Sequence, residues 1–251
     1  MSVLFTCSID DGHPSDMKMA RLLAKHRLKG TFYIPIRNRE GLPVMAPSQV
    51  REISQSFEIG SHTLDHCYLK GLSDAEARHQ VVEGKRQLED MLSREVHGFC
   101  YPGGRYLGKH VDLIRSTGFL YARTTKNFHF GPGDNPYEMP TSIQFYPHAK
   151  DVYLRNFASG GHWADRLDGL KVALRYNDWQ DRLYALFDHA CRTRAAFHLW
   201  CHANDIDTLS AWNEMNRFLG YVASAVALPN RLDNLGIAES LVPAMGQRAA
   251  A

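Results

Sequence analysis

The sequence predicts an α/β fold in which crossover helices close, or nearly close, a parallel sheet. Up to about residue 124, short apolar segments alternate with amphipathic ones, a pattern typical of parallel sheets with helical connections. Polar motifs follow the ends of successive predicted strands, where such folds build their sites. A length of 251 residues suits one such domain. We therefore expect a single domain over residues 1–245 and a frayed tail at 246–251.

The N-terminal half contains five apolar segments predicted as strands and four amphipathic segments predicted as helices. Apolar residues recur near helical spacing after Asp16, and Ser73-Asp74-Ala75-Glu76 has the pattern of a capping box, which marks a helix start. Gly30 and Gly118 each follow a predicted helix and end it. The predicted strands are 3–9, 31–36, 58–60, 97–101 and 119–124, and the predicted helices are 16–29, 47–57, 73–93 and 109–117.

The C-terminal half has a less regular pattern. Residues 126–170 contain many glycines and prolines, so we predict long loops that lie over one face of the sheet as a lid. One strand-like run, 141–146, lies among these loops. The regular pattern then returns, with predicted helices at 179–194 and 209–227 and a predicted strand at 195–202.

The bulk composition is that of a globular protein with nearly balanced charge. Hydrophobic residues make up 44% and charged residues 22% of the chain, and the formal net charge is +2. The sequence has no basic run and no interleaving of basic and aromatic residues, so we expect no nucleic-acid partner. It also has no apolar run of about 18 residues, so we expect no transmembrane segment.

The cysteine pattern favours reduced thiols. An odd number of cysteines without a Cys-x-x-Cys pair argues against a disulfide framework and fits a cytosolic compartment. The first predicted strand begins near Val3, which leaves no room for a secretory leader, so we expect a cytoplasmic protein. The five cysteines are Cys7, Cys67, Cys100, Cys191 and Cys201.

A candidate metal site follows two of the predicted strands. His62 and His66 are four residues apart, and on one helical turn such residues share a face, so we expect both imidazoles to bind one metal ion. The third ligand is expected from the adjacent carboxylates Asp10 and Asp11. Two histidines and one aspartate with open coordination positions are typical of a catalytic metal site. His202, which ends the last predicted strand, should lie at the same edge of the sheet.

These residues, in this order, resemble the polysaccharide deacetylase family (carbohydrate esterase family four and its relatives). The shared motifs are Asp-Asp-Gly after a strand, His-Thr-x-x-His, an aromatic-x-Tyr-Pro-x-Gly turn and a late apolar strand that ends in His; they span residues 5 to about 205. The resemblance implies a distorted (β/α) barrel with about seven parallel strands. It also implies metal-dependent removal of an acyl group, usually acetyl, from the nitrogen of an amino sugar.

The resemblance also implies roles for six residues. These roles are metal ligand for Asp11, His62 and His66, general base for Asp10, general acid for His202, and oxyanion donor for the backbone N–H of Gly103. Further candidates for substrate contact are Tyr101, Arg105, Trp200 and His13. Arg105 suits an anionic group or is simply a surface arginine. Trp200 lies on the same side of its strand as His202, so it lines the acyl pocket or belongs to the core.

Two departures from the family pattern concern how the base and the acid are held. The family often has a base-orienting arginine two residues before the proline of the third motif, and here that position is Cys100. Arg105 is one candidate to replace it. The motif that orients the acid has only a partial match, Asn177-Asp178-Trp179. One of Asn204, Asp205 and Asp207, which follow His202, orients its ring instead, or these three residues form a helix cap or a solvated loop.

We therefore expect a metal-dependent hydrolase that removes an N-acyl group, most simply N-acetyl, from an amino sugar or sugar intermediate of cell-surface polysaccharide biosynthesis. Zinc is the default metal for this ligand set, and cobalt, nickel or iron also fit it. Two alternatives stay open: a deformylase or cyclic-amide hydrolase with the same metal site, and a metal- or sugar-binding module without catalysis. The sequence does not specify the sugar, the acyl group or the oligomeric state.

Overall fold

A single sheet of seven parallel strands organises the fold, as seen in a computed structural model that describes residues 3–240. The strand order is β5-β4-β3-β2-β1-β7-β6. The longest pairing joins β1 to β7 over seven residues in register, from Leu4 opposite Ala196 to Asp10 opposite His202. The strands are β1 (Leu4–Asp10), β2 (Thr31–Ile34), β3 (Glu58–Ser61), β4 (Gly98–Cys100), β5 (Tyr121–Arg123), β6 (Ile143–Gln144) and β7 (Ala196–His202).

The sheet curls until its two edges approach each other. At the β5 edge, Arg123 forms an isolated parallel bridge with Met139. A few residues later, the Ser142 N–H donates to the carbonyl of His198 in β7 at 2.9 Å. The segment between Met139 and Ser142 thus crosses from one edge towards the other and partly closes the barrel. The expected distorted barrel of about seven parallel strands is confirmed.

Ten α-helices surround this sheet within residues 3–240. Helix α3 begins at the predicted capping box, where Ser73 Oγ accepts from the Glu76 N–H at 3.3 Å and Glu76 Oε2 accepts from the Ser73 N–H at 2.9 Å. The helices are α1 (Asp16–Lys25), α2 (Pro47–Ser54), α3 (Asp74–Leu92), α4 (Gly108–Ser116), α5 (Lys150–Ser159), α6 (Trp163–Arg175), α7 (Trp179–Thr193), α8 (Ala203–Thr208), α9 (Trp212–Ala225) and α10 (Asn234–Glu239).

The prediction of long loops over residues 126–170 is wrong for the second half of that segment, which forms α5 and α6. The glycine pair Gly160-Gly161 only makes the turn between these two helices. Arg166 fixes the turn from inside: its guanidinium is buried and donates to the carbonyls of Phe157 at 3.1 Å and Gly161 at 2.9 Å. The glycines and prolines of this segment therefore correspond to the turn at 160–161 and to the stretch 131–140. They do not indicate one continuous loop.

The two faces of the central strands differ in chemistry. In β1, Phe5 and Ile9 are fully buried in the hydrophobic core between sheet and helices, while Thr6, Ser8 and Asp10 alternate with them and face the barrel interior. The interior is therefore polar along this strand. Such an interior can hold a hydrogen-bonded site at one end and a hydrogen-bonded floor at the other.

Two further features bear on the composition of the chain. The five cysteines are all free thiols. Among the helices of residues 3–240, none combines the length and the apolar character that crossing a membrane requires. The tail expected at residues 246–251 lies outside the described residues.

Candidate metal and catalytic site

The site lies where β1, β3 and β7 end at the same edge of the curled sheet. Asp10 and His202 are the last residues of adjacent strands and stand opposite each other in register. His62 directly follows Ser61, the last residue of β3. Strand pairing alone therefore brings the predicted base, acid and metal ligands to one end of the barrel.

Asp11, His62 and His66 are brought together as expected. Their candidate ligand atoms lie within 4.8 Å of one another, and all three residues are buried. The Nε2 atoms of His62 and His66 lie 3.5 and 3.1 Å from Asp11 Oδ1. Yet this oxygen has no hydrogen-bond partner of acceptable geometry. Three ligand atoms that converge without hydrogen bonding each other are the arrangement that a cation needs.

The prediction that His62 and His66 share a helical turn is wrong. Residues 62–66 form an irregular loop, in which Thr63 has φ 67° and His66 has φ 55°. Asp11, the residue directly after β1, is also left-handed, with φ 80°. Positive φ at three non-glycine residues around one point indicates backbone strain that the surrounding structure maintains, which is common at functional sites.

Helix α3 holds the histidine loop in place. The Gln80 carbonyl accepts from the Leu64 N–H at 2.9 Å, and the Gln80 side chain bonds both the N–H and the carboxylate of Asp65. At Gly84 the loop approaches so closely that a Cβ there would lie 2.8 Å from the backbone of Thr63 and Leu64. A glycine is therefore required where the loop packs on the helix.

The tautomer of His62 follows from its neighbour on β4. Its Nδ1 lies 2.8 Å from the carbonyl oxygen of Cys100, so Nδ1 carries the proton and donates, and Nε2 is left free to bind a metal.

The thiol of Cys100, with Asp10 and His62, forms a second set of candidate metal ligands. Burial raises the pKa of this thiol well above its usual value, which disfavours the thiolate that a metal requires. We therefore favour the set that contains Asp11.

Asp10 forms a buried ion pair with Arg123, the last residue of β5. Both side chains are almost fully buried, and the second oxygen of Asp10 accepts from the Cys100 thiol at 3.8 Å. The guanidinium carbon lies 5.3 Å from the ring centre of Tyr33 and 5.2 Å from that of Trp200. Arg123 is thus the arginine that holds the candidate base, and it comes from a different strand than the family pattern suggests.

Sequence reasoning missed Arg123 and offered Arg105 in its place, which is wrong. Arg105 is exposed and lies over the ring of Tyr68, with its guanidinium carbon 4.8 Å from the ring centre. A signal for Arg123 existed in the sequence. It lies in the predicted strand 119–124 among mostly apolar neighbours, where a lone arginine is unusual. In the structure it stands opposite Cys100 in register.

His202 faces Asp11 on one side and Asp205 on the other. Its Nδ1 donates to Asp205 Oδ2 at 2.9 Å, and its Nε2 lies 3.9 Å from Asp11 Oδ2. Burial alone would lower its pKa, but the hydrogen bond to Asp205 and the charges of Asp11 and Asp10 outweigh burial and raise the pKa to about 9. The ring is therefore set to carry a proton at neutral pH.

The partial match at Asn177-Asp178-Trp179 has another role. Asp178 is exposed and caps α7 by accepting from the N–H groups of Gln180 at 2.8 Å and Asp181 at 3.0 Å. The acid is oriented by Asp205 instead, which was the alternative from the sequence. Gln144, on β6, lies beside the His202 ring with its amide nitrogen 3.4 Å from Nδ1, but two donors do not bond each other.

The remaining candidates differ in how they relate to the site. Gly103 is exposed with φ 57°, and a Cβ there would lie 2.7 Å from the ring of Tyr68. Tyr101 is fully buried and its hydroxyl donates to the Tyr137 carbonyl at 3.0 Å, so the structure leaves it no surface for the expected substrate contact. His13 is half-buried, and its Nδ1 accepts from the Ser15 N–H at 3.2 Å.

Trp200 packs against two residues of the site and helps to hold them in place. Only 7% of the residue is exposed, and its indole N–H donates to Asn127 Oδ1 at 3.0 Å. One face lies over Arg123, and the ring packs edge to face with His202 at 5.5 Å between ring centres. This single indole therefore contacts both the arginine behind the base and the candidate acid.

The sequence was compared with protein families and with curated proteins. Residues 4–122 match the family model described as polysaccharide deacetylase. The Bacillus subtilis (strain 168) protein named "Putative polysaccharide deacetylase YxkH" is 26% identical over 121 residues. That match covers 47% of this chain and 43% of the relative, so it spans less than half of the relative's own length.

Solved structures share the fold over nearly the whole chain. A polysaccharide deacetylase structure from Mycobacterium smegmatis, described as "putative", matches with a TM-score of 0.65, covering 96% of this chain and 90% of its own at 15% identity. The Puue allantoinase matches with a TM-score of 0.64, covering 94% and 88% at 14% identity. At these identities the likeness shows the fold alone. Together with the sequence match over residues 4–122, it confirms the resemblance to the polysaccharide deacetylase family that the motifs indicated.

Proposed function

We propose that this protein is a metal-dependent hydrolase that removes an N-acyl group, most simply N-acetyl, from an amino sugar. The observation that carries the proposal is the joint placement of two independent sets at one strand edge. One set, Asp11 with two histidines, fits a cation. The other is a buried carboxylate, Asp10, and a raised-pKa imidazole, His202, on adjacent strands. A cation beside an acid–base pair is what amide hydrolysis requires.

The donor set fits a divalent transition metal, for which we propose zinc. Asp11 Oδ1 is buried without a hydrogen-bond partner, and the Nε2 atoms of His62 and His66 lie nearby as acceptors. Zinc, cobalt, nickel or iron would bind such a set of two imidazoles and one carboxylate. A metal held there supplies the positive charge that polarises an acyl carbonyl and makes a water molecule more acidic.

The residues of the chain supply the rest of the reaction. Asp10, held by Arg123, accepts a proton from the attacking water, which adds to the acyl carbon. The Gly103 N–H donates to the oxygen on which negative charge develops, and one such donor contributes about 3–4 kcal/mol. His202, kept protonated by Asp205, donates its proton to the leaving nitrogen, and the carbon–nitrogen bond breaks.

The charged partners of Asp10 and His202 argue against a binding module without catalysis. Asp10 and His202 each have a buried or half-buried charged partner, Arg123 and Asp205. Metal or sugar binding needs neither of these pairs. The apparent loss of the base-orienting arginine at Cys100 was the reason to consider an inactive protein, and Arg123 removes that reason.

A release assay tests the proposal. The purified protein, loaded with zinc, cobalt or nickel in turn and analysed for metal content, is incubated with N-acetylglucosamine, its nucleotide-linked form and chito-oligosaccharides, and acetate is quantified. Parallel assays measure formate from N-formyl amino sugars and ring opening of allantoin. Acetate release that depends on metal supports the proposal. Formate release or ring opening without acetate release would assign the same site to the other substrate class, and metal binding without any turnover would contradict an enzyme.

A further inference from the structure

Uncharged, hydrogen-bonded side chains fill the end of the barrel opposite the metal ligands. Each is less than 5% exposed, and each points inward from the sheet except Asn234, the first residue of α10. Buried polar groups of this kind are stable only when every donor and acceptor is matched. The members of this network, which we call the barrel floor, are Thr6, Ser8, Thr31, Tyr33, Tyr121, His198 and Asn234.

Asn234 lies at the centre of the barrel floor. Its Oδ1 accepts from Thr6 Oγ1 at 2.8 Å, and its Nδ2 donates to Ser8 Oγ at 2.7 Å and to the Tyr33 hydroxyl at 2.8 Å. Its backbone N–H donates to Thr31 Oγ1 at 2.9 Å. The fully buried amide of Asn234 thus joins strands β1 and β2 to helix α10. The donors and the acceptor of this side chain are all used.

The direction of each bond is fixed by its neighbours. Nδ1 of His198 donates to the Pro140 carbonyl at 3.1 Å, so Nε2 must accept from the Ser8 hydroxyl at 2.6 Å. Burial and the charge of Arg123 lower the pKa of His198 to about 3, which keeps the ring neutral. Ser8 therefore has only its oxygen lone pairs to offer Asn234. This arrangement matches the donors and acceptors of Ser8, His198 and Asn234, and matched groups of this kind hold each other in fixed positions.

Tyr33 connects the barrel floor to the candidate active site. Its hydroxyl accepts from Asn234 and donates to the Tyr121 hydroxyl at 3.2 Å. Its ring lies beneath the guanidinium of Arg123, whose other face is covered by Trp200. Arg123 in turn pairs with Asp10. The Nε of Arg123 has no hydrogen-bond partner. The contacts of its guanidinium with the rings of Tyr33 and Trp200 therefore help to hold it in position.

We propose that Asn234 is a positioning residue for the hydrolysis: by holding the Tyr33 hydroxyl it fixes the ring on which Arg123 rests, and so aligns Asp10. This inference rests on the proposed function, because Asp10 is assigned there as the base. Helix α10 thereby becomes part of the support of the active site, although this helix packs at the opposite end of the barrel.

Three variants separate positioning from stability. Tyr33→Phe keeps the ring and removes the hydroxyl that bonds Asn234 and Tyr121, and Asn234→Ala removes the anchor itself. Thr117→Val is the control, because it removes a part-buried bond, from Thr117 Oγ1 to the Leu113 carbonyl at 2.8 Å, that touches neither Asn234 nor Arg123. We expect kcat to fall about tenfold in the first two, with KM and metal content within twofold of wild type, and no further fall in the double variant. Thr117→Val should lower the melting temperature but keep the wild-type kcat.

Crystal structures of the same variants give a readout that does not need turnover. We expect the Arg123 guanidinium to shift away from Asp10 in Asn234→Ala and to stay in place in Thr117→Val. Unchanged kcat and an unmoved Arg123 in both Tyr33→Phe and Asn234→Ala would overturn the inference, as would an equal loss of kcat in Thr117→Val. If wild-type protein releases no acyl group at all, the proposed function fails, and the position of Arg123 still decides the structural claim.

Discussion

Arg123 reaches from the end of β5 to Asp10 at the end of β1, although three strands separate β5 from β1 in the sheet. The contact exists because the sheet curls, which brings side chains from distant strands together in the barrel interior. It places the counter-charge of the candidate base on β5, whereas the family pattern has its arginine at the position of Cys100 on β4, and it compensates for that cysteine. Much of the chemistry proposed for this chain depends on this pair.

Removal of this arginine should affect turnover more than metal binding. Arg123→Met leaves a buried carboxylate at Asp10 without its partner, and breaking a buried pair destabilises a protein by about 3–5 kcal/mol. We expect kcat to fall by roughly 10²-fold or more, the size of a general-base contribution. Urea unfolding and metal analysis on the same preparations separate the two effects. Arg105→Met, the rejected candidate, should keep kcat within twofold, and the reverse ranking would contradict our assignment.

The acid should lose its proton at lower pH when Asp205 is neutralised. His202 has a pKa raised to about 9, so the protonated, active form persists below that pH and is lost above it. Asp205→Asn removes both the charged acceptor and its field, which moves the alkaline limb of the kcat profile down towards the ordinary histidine value of about 6.5. The profile of kcat between pH 6 and 10 checks this, and an unshifted limb would show that another group sets it.

Glu58 should make the protein less stable as pH rises. Burial raises the pKa of this carboxyl to about 7, against the hydrogen bonds that it accepts from Thr31, Tyr121 and the Leu235 N–H. The folded state therefore holds a proton that the unfolded state releases near pH 4.5, so stability falls between these values by at most about 3 kcal/mol. Urea unfolding from pH 4.5 to 7.5 measures the slope. Glu58→Gln should flatten it, and an equal slope in both proteins would refute the assignment.

Any side chain at position 84 should disturb the histidine loop. In Gly84→Ala the new Cβ would lie 2.8 Å from the backbone that joins Thr63 to Leu64, so the loop that carries both histidines must move. We expect a loss of about 1–3 kcal/mol in stability and a weaker metal affinity, measured by competition with a chelating dye. Gly108→Ala is the control, since nothing lies within 4 Å of its Cβ position. Equal metal affinity in both variants would contradict the role given to Gly84.

The elements that the sequence predicted well are those with a local cause. The capping box at Ser73 begins α3, and the alternation of strands and helices over the first half matches the structure closely. The two helices between residues 150 and 175 were missed because the glycines and prolines of that segment dominate its local pattern. Their stability comes from tertiary contacts such as the buried guanidinium of Arg166, which no local pattern contains.

The candidate site was predictable where a motif carries it and not where distant strands build it. Asp11, His62 and His66 come together as the motifs implied, although through a strained loop and not through a helical turn. The partner of Asp10 could not be found by spacing, because Arg123 lies 113 residues away and meets it only through the curl of the sheet. Asn234, 201 residues from Tyr33, is hidden for the same reason.

The most direct test of the account measures metal content and acetate release in the same preparations of Asp10→Asn and Asp11→Ala. We expect Asp10→Asn to keep one metal ion per chain and to lose turnover by about 10²-fold or more, because it keeps the ligands and removes the base. Asp11→Ala should lose the metal and turnover together. Full activity in Asp10→Asn, or a full complement of metal in Asp11→Ala, would contradict the division of roles between these two adjacent carboxylates.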